Sequence, residues 1–566
     1  MTVEITERSL RSYRPLRVGG AGLLLLVLYL GLSLLNDQRG TLSTDVGGKT
    51  ATFRVMEATH TSTPEVGYWA DEWDPEGAIH GLFYTSVIDG HYVNVTTLPV
   101  IVLAQPFFEL GGYRAALVWS MAGGVAAAFA ARALASRAGA DEHRAWLAFW
   151  VSGLASPVVL YALDLWEHAP GLGLMAWAVV ATVDAASGRP AWLGLAAGLG
   201  FGAAFSMRTE AAVYGFVAVG TGCVMLWQRR GFIRALAVGA LAGVGFVAMF
   251  LANYALEVAL LGGALRASRA SGTAATGGTG LGKRVEEAFT TTFGLFPSID
   301  PSQICLGVAA AGLVALAVWR GSRPGDRGVA RIAFGGAVAL FLLRAIDGLG
   351  FVPGLLSTAP FAVVGVLLVW DRRVRQPGRD AVLMVLVALP LVWLFQYTGG
   401  AVPQWGGRYT LTSMLVLSAV GIGVSGLVDR WLQVGLVALS TAVAVFGLVW
   451  MSHRTHEVGR AAVTVAEISV PVVSIQDFWL RELGAEYDAS SRWLSVSGRG
   501  ELPLAIAVLD QAGERTFDLL WIPSEPGEAA PEVPGWTSTI DDRTETWLGV
   551  DFRLTRYERE PEEVSN

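Results

Sequence analysis

Residues 18–35 read VGGAGLLLLVLYLGLSLL, and this apolar run decides the class of fold. A run of this length without a charge can cross the hydrocarbon core of a bilayer as a helix. Arg8, Arg11, Arg14 and Arg17 precede it, as they would in a signal peptide, but no small-residue cleavage site follows. We therefore predict a retained membrane span.

A further dozen apolar segments of spanning length follow along the chain. They lie at residues 112–134, 145–163, 169–186, 191–207, 211–228, 232–253, 303–319, 331–350, 355–370, 380–396, 410–428 and 431–451. The chain is 53% hydrophobic and only 16% charged, which excludes a water-soluble globular protein. We predict a mainly α-helical polytopic membrane protein with about 13 transmembrane helices.

The arginines of the short connections indicate the orientation of these spans. They gather on the side of the N-terminal tail, at Arg132, Arg137, Arg144, Arg229, Arg230, Arg234, Arg320, Arg323, Arg327, Arg331, Arg372, Arg373, Arg375 and Arg379. By the positive-inside rule this side is cytoplasmic, so the N-terminus is inside and the C-terminus outside. The expected location is the plasma (inner) membrane. No basic face suited to nucleic acid is present.

Two domains are expected from this arrangement. Residues 1–451 form the transmembrane domain, with a large extracytoplasmic loop at 36–111 and a flexible one at 254–302, in which 268–282 are expected to be mobile over a site. Residues 452–566 alternate apolar and polar positions typical of strands and helices, and predict a small extracytoplasmic α/β domain.

Asp45 is the first polar candidate, because it follows the first span by about nine residues, in STDVGGKTATFRVME. A carboxylate at the membrane boundary beside two glycines can accept a proton from an attacking hydroxyl. Alternatively, Thr44 or Asp45 caps the helix that runs to Met56.

Asp164, Glu167 and His168 lie on a short outside turn, YALDLWEHAPG. Three polar side chains within five residues are able to hold a divalent cation or to orient a sugar hydroxyl. Alternatively, a junction between spans carries polar residues in any case, and Trp166 suits the interfacial belt.

Arg208 and Glu210, in SMRTEAA, interrupt apolar sequence on the outside face. An arginine there opposes the charge bias that sets the orientation, and its planar guanidinium suits a phosphate. The alternative is a local Arg208–Glu210 ion pair.

Arg408 follows a Gly-Gly pair in VPQWGGRYTL, again on the outside. Trp405 and Tyr409 can stack on a ring, and Arg408 can bind an anion. Lys283 and Arg284 follow the predicted mobile loop and can close on the same anion, unless they are ordinary interfacial anchors.

The order of these motifs resembles the GT-C superfamily of integral-membrane glycosyltransferases, which includes protein O-mannosyltransferases and lipid A aminoarabinose transferases. The resemblance rests on TDVGGKTATFRVMEA after one span, DLWEH, MRTE, and QWGGRY before the last spans, and it extends over most of residues 1–451.

The resemblance implies transfer of a sugar from a polyprenyl-phosphate-linked donor to an acceptor hydroxyl at the extracytoplasmic face, with inversion. Asp45 would be the general base. Arg208 and Arg408, with Lys283 and Arg284, would hold the donor phosphate.

Further parts of the site are also implied by the resemblance. Asp164, Glu167 and His168 would contact the acceptor or a divalent cation, and Glu210, Trp405 and Tyr409 would support the site. The acceptor would be a protein, a lipid or a glycan, and the donor tail would lie among membrane lipid.

The chain departs from the superfamily pattern after Asp45. Many relatives carry an Asp-Glu pair there, whereas Val46 follows Asp45 in this chain. Glu57 or Asp71 is then a candidate partner for the base.

Two other classes of function remain open. A transporter or flippase of a lipid-linked or envelope substrate is one alternative, although no internal repeat is visible and the polar residues cluster on one face. The other is an anchored protein whose acidic tail binds a partner, for which thirteen spans are more than anchoring needs.

Overall fold

The described residues are 69% helical, as expected for a polytopic membrane protein. The computed structural model describes residues 2–265, 280–293, 301–323, 325–346, 354–396, 405–476, 478–525, 528–539, 543–547 and 550–560. Most of the predicted mobile loop, at 268–282, lies outside these ranges.

The α-helices follow one another along the chain. They are α1 (Thr2–Ser33), α2 (Thr44–Thr59), α3 (Leu98–Ala138), α4 (Glu142–Leu154), α5 (Val158–Ala162), α6 (His168–Ala186), α7 (Trp192–Met207), α8 (Glu210–Arg230), α9 (Phe232–Leu261), α10 (Leu281–Phe293), α11 (Pro301–Gly321), α12 (Arg327–Ile346), α13 (Leu355–Thr358), α14 (Phe361–Leu368), α15 (Gln376–Gln396), α16 (Leu411–Val424), α17 (Arg430–Ala466), α18 (Trp479–Glu482) and α19 (Leu502–Gln511).

Among the described residues, seven helices are long and apolar enough to cross a membrane. They are α3, α6, α8, α9, α15, the segment Arg408–Leu427 and α17, and three shorter apolar helices are Val18–Ser33, Trp192–Met207 and Cys305–Gly321. The number of thirteen spans therefore stays a prediction.

Two predicted segments differ in detail from continuous helices. The segment at 355–370 consists of α13 and α14, because Ala359 leaves the helical region (φ −139°, ψ 61°) before Pro360. Eight residues of α14 rise only about 12 Å, less than the roughly 30 Å of the hydrocarbon core. Within α3, Gly111 and Gly112 are non-helical and kink the chain where the first long loop was expected to end.

The chain forms two compact units, which divide it differently from the predicted domains. The first unit contains Met1–Ser33, Leu117–Ala252 and Gly277–Val449, and the second contains Leu34–Ala116, Asn253–Thr276 and Trp450–Asn566. The predicted loop at 36–111 is thus grouped with the C-terminal region. The extracytoplasmic placement of this second unit stays a prediction.

The second unit contains the strands. A hairpin pairs β1 (Ser86–Ile88) with β2 (His91–Val93). The other strands are β3 (Val472–Ser474), β4 (Trp493–Ser495), β5 (Thr516–Trp521), β6 (Trp536–Ser538), β7 (Arg543–Trp547) and β8 (Val550–Arg559). They form one sheet in the order β4-β3-β5-β8-β6, with β7 also paired to β8.

The sheet is mixed, and its core includes residues from both ends of the chain. β3 is parallel to β4 and β5, whereas β8 is antiparallel to its neighbours. Ala51 and Val55 of α2 are buried in one cluster with Leu480, Leu483 and Phe552. This packing brings the first turns of α2 beside α18.

Candidate active site

Asp45 is the second residue of α2, which begins at Thr44. Ser43 is the N-cap residue, so neither Thr44 nor Asp45 caps the helix. A carboxylate in the first turn is stabilised by the helix dipole. The Asp45 side chain is 17% exposed, so it is partly accessible within this unit.

Arg481 of α18 forms an ion pair with Asp45. Its Nη1 lies 3.0 Å from Asp45 Oδ1 and 3.3 Å from Thr44 Oγ1. Its Nε donates to Asn94 Oδ1 at 2.8 Å, and the arginine side chain is fully buried. Arg481 is not among the predicted site residues.

The two suggested partners of Asp45 occupy other places. Glu57 lies twelve residues further along α2, about 18 Å along its axis, where it borders a cavity of about 850 Å³. Asp71 is exposed. The pKa of Tyr92 is raised, mainly by burial and to a smaller extent by the negative charge of Asp71. Arg481, rather than Glu57 or Asp71, therefore contacts the Asp45 carboxylate.

Arg208 of the first unit lies between α7 and α8 and is buried. Its Nε donates to Glu210 Oε1 at 2.9 Å, and its Nη1 to Glu167 Oε1 at 3.4 Å. The local Arg208–Glu210 ion pair, which was the alternative to phosphate binding, is thus present. Glu167 is a second carboxylate beside Arg208. Arg208 Nη2 is buried without a hydrogen-bond partner in the described part of the chain.

Arg408 and Arg208 both contact the ring of Tyr409. Each guanidinium carbon lies 5.1 Å from the centroid of that ring. Arg408 also lies 4.9 Å from the centroid of Trp166. These distances are typical of cation–π contacts. The DLWEH, MRTE and QWGGRY segments therefore meet in one place in the first unit.

Aromatic rings join the remaining candidates to this cluster. His168 stacks on Tyr161 with 4.8 Å between centroids and an interplanar angle of 6°. The Tyr161 hydroxyl donates to the carbonyl oxygen of Trp405 at 2.9 Å. Asp164 is buried, and its Oδ1 accepts the Leu165 N–H at 3.1 Å.

Gly406 and Gly407 bring Arg408 and Tyr409 into position. Both glycines have left-handed backbone angles (φ 69° and 76°), which other residues adopt at a cost. A Cβ on Gly407 would also lie 2.5 Å from Thr291 Cγ2 of α10. The turn before Arg408 therefore requires glycine for both conformation and space.

Lys283 and Arg284 lie on α10, and the structure describes the side chain of Arg284 only. Arg284 Nη1 donates to the carbonyl oxygen of Leu394 on α15. Together with apolar residues of both helices it lines a cavity of about 420 Å³. Binding of the donor anion by these two residues stays a prediction.

Metal binding has no geometric support in the part of the chain that the structure describes. No group of three or more His, Cys, Asp or Glu side chains is suitably placed there. Glu167 instead pairs with Arg208, and His168 stacks on Tyr161 and contacts the ring of Trp166. Among the described residues, Asp164, Glu167 and His168 are therefore not arranged as a set of metal ligands.

The two parts of the predicted site belong to different units. Asp45 is in the second unit, and Arg208 and Arg408 are in the first. That the three share one cavity stays a prediction.

Comparison with known proteins gives structural likenesses only. No protein-family model matches the chain, and no curated protein matches its sequence. The structure is similar to that of ArnT from Cupriavidus metallidurans bound to undecaprenyl phosphate, with 14% identity, a TM-score of 0.41, and coverage of 95% of this chain and 98% of that one.

A second likeness is to the oligosaccharyltransferase of Archaeoglobus fulgidus in its apo form. It has 12% identity, a TM-score of 0.42, and coverage of 88% of this chain and 69% of that one. AglB from the same organism, in complex with an inhibitory peptide and a dolichol-phosphate, has a TM-score of 0.41 at 12% identity.

Proposed function

We propose that this protein is a GT-C-type glycosyltransferase that moves a sugar from a polyprenyl-phosphate-linked donor to an acceptor hydroxyl. The observation that carries the proposal is the convergence of Arg208 and Arg408 on Tyr409, at the ends of apolar helices. Two guanidiniums that contact the same ring bring two positive charges to one cluster, and guanidiniums suit an anion with several oxygens. The N–H donors on Arg208 Nη2 offer such an oxygen a hydrogen bond.

Negative charge develops on the departing phosphate as its bond to the anomeric carbon breaks. In this step Arg208 and Arg408 stabilise the leaving group, and the effect is strong at Arg208 because that side chain is buried. Glu167 and Glu210 compensate Arg208 before the donor binds and hold its guanidinium in place. Tyr409 fixes the relative orientation of the two arginines.

Asp45 acts as the general base in this proposal. Its partly exposed carboxylate takes the proton of the acceptor hydroxyl, whose oxygen attacks the anomeric carbon from the face opposite the phosphate. A single displacement of this kind inverts the configuration. The reaction takes place at the extracytoplasmic face of the plasma membrane, in the orientation with the N-terminus inside and about thirteen spans.

The test measures release of polyprenyl phosphate by the purified full chain. A panel of polyprenyl-phosphate sugars serves as donor, and an envelope extract supplies acceptors. Asp45→Asn should lower turnover about 10²- to 10⁴-fold. Glu558→Gln, which changes an exposed carboxylate of the same unit, should leave turnover unchanged.

Arg408→Ala examines the donor side of the same reaction. The donor KM should rise, whereas Arg408→Lys should retain part of the donor affinity through its charge. Wild-type turnover in Asp45→Asn would remove Asp45 as the base. An unchanged donor KM in Arg408→Ala would remove Arg408 from phosphate binding.

A further inference from the structure

We propose that Arg481 is a positioning residue for Asp45, so that the C-terminal region contributes directly to the active site. The inference rests on the proposed function, because it assigns Arg481 a role through the general base. It concerns a residue beyond the span-containing segment, in which all the predicted site residues lie.

The contacts of Arg481 fix the direction of the Asp45 carboxylate. Nη1 reaches Asp45 Oδ1 at 3.0 Å, while Nε is held by Asn94 Oδ1 at 2.8 Å. With the bond from Nη1 to Thr44 Oγ1 at 3.3 Å, one guanidinium thus makes three bonds from two of its nitrogens. A lysine ammonium on a flexible stem does not reproduce this set.

Asn94 is itself held in one orientation. The two hydrogens of its Nδ2 are shared among three acceptors, the carbonyl oxygens of Leu82 and Phe83 at 2.7 and 2.9 Å and Thr85 Oγ1 at 2.8 Å. The amide oxygen is therefore left to accept from Arg481. Because Nε and Nη1 both have fixed partners, the guanidinium has little freedom to rotate.

Two glycines allow α18 to approach α2 closely enough for this contact. A Cβ on Gly47 would lie 2.0 Å from the carbonyl oxygen of Arg481, and a Cβ on Gly484 would lie 2.4 Å from the carbonyl oxygen of Gly47. Glycine inside a helix costs about 1 kcal/mol relative to alanine. The close contact of the backbones explains why α2 carries glycine there.

The difference in exposure between the partners suits a positioning role. Arg481 is fully buried, whereas the side chain of Asp45 is 17% exposed. The guanidinium therefore lies on the protected side of the carboxylate and leaves it partly accessible. A neighbouring cation favours the ionised form of a carboxylate, which is the form that a base requires.

The experiment compares Arg481→Lys with Arg54→Lys in the full chain. Arg54 also contacts the C-terminal region, through Ala485 O at 2.8 Å and Glu486, and serves as the matched control. In Arg481→Lys we expect kcat to fall about 10- to 100-fold because the base is displaced. The donor KM should change less than about threefold, since Arg481 positions the base rather than the donor.

The pH profile separates positioning from a merely structural role. In Arg481→Ala one cation beside Asp45 is lost while Lys49 of the same helix remains, so the acid limb of the kcat profile should move to higher pH. Added ethylguanidinium should restore part of kcat in Arg481→Ala. Arg54→Lys should retain both the wild-type kcat and its acid limb.

The outcomes distinguish this inference from the proposed function. Wild-type kcat and an unmoved acid limb in Arg481→Lys and Arg481→Ala, with Asp45→Asn inactive, would overturn the role of Arg481 and leave the function standing. Activity of Asp45→Asn at the wild-type rate would instead remove the base itself. Should the Arg481 variants not fold, Thr44→Val replaces them, because it removes the oxygen that accepts a hydrogen bond from Arg481 Nη1. An unchanged kcat in Thr44→Val would also overturn the inference.

Discussion

Tyr409 lies against the guanidinium of Arg208, with 5.1 Å between the ring centroid and the guanidinium carbon. The same ring lies equally close to Arg408. One aromatic side chain therefore contacts arginines from two segments that are far apart in the sequence.

Tyr409→Leu should raise the donor KM about 5- to 30-fold, because it removes cation–π contacts worth roughly 1–2 kcal/mol. Tyr409→Phe keeps the aromatic face and should stay within about twofold of the wild type. Initial rates at varied donor concentration measure both variants. Equal KM values for the two variants would contradict a role for the ring.

Gly47→Ala should destabilise the protein by about 1–3 kcal/mol or more, because its Cβ would overlap the backbone at Arg481. Gly500→Ala is the control in the same unit, since its Cβ meets nothing within 4 Å. Thermal unfolding of both variants in the same detergent gives the comparison. A thermal midpoint for Gly47→Ala equal to that of Gly500→Ala would show that the backbones can separate at little cost.

Arg229→Ala should cost about 3–5 kcal/mol, because it leaves the buried Asp380 carboxylate without its two guanidinium bonds of 2.6 and 2.7 Å. Arg373 forms a similar fork with Asp371, but that arginine is 70% exposed. Exposed pairs contribute about 0–1 kcal/mol, so Arg373→Ala should have little effect on unfolding. Similar losses in both variants would refute the dependence on burial.

The lowered pKa of His80 should make the stability of the protein depend on pH. Burial lowers the pKa of His80 to about 4. Its Nδ1 accepts the Leu82 N–H at 2.9 Å, and its other ring nitrogen, Nε2, bonds the Gly67 carbonyl oxygen at 2.9 Å. A lowered folded-state pKa means that the unfolded state takes up the proton first, so stability is lost as pH falls from about 6.5 towards 4.

The wild-type chain should therefore lose about 2 kcal/mol between pH 7 and pH 5 through this one group. His80→Asn lacks the titrating ring and should lose correspondingly less over the same interval, whatever its stability at pH 7. Unfolding curves at the two pH values provide the measurement. An equal loss in both proteins would assign the pH dependence to other groups.

The DLWEH, MRTE and QWGGRY segments could be selected from the sequence because each interrupts an apolar pattern. Glu167, Arg208 and Arg408 are polar residues where membrane-spanning sequence should exclude them, and the structure brings all three to one cluster. Their charge alone made them candidates, since burying such groups is expensive.

Arg481 could not be found in this way. It lies in a soluble-type sequence, where an arginine is ordinary, and its contact with Asp45 spans 436 residues. The predicted span at 355–370 differs for another reason. Hydropathy records apolar character only, whereas Ala359 and Pro360 interrupt the helix through backbone geometry.

The shared core of the second unit has a consequence for biosynthesis. Val55, Val66 and Leu82 are buried together with Val458 and Phe552, which the ribosome adds several hundred residues later. At 5–20 residues per second the early segment waits on the order of a minute for these partners. During that interval its apolar side chains need protection by a chaperone or by the bilayer surface, and nascent chains halted within the spans will be prone to aggregate.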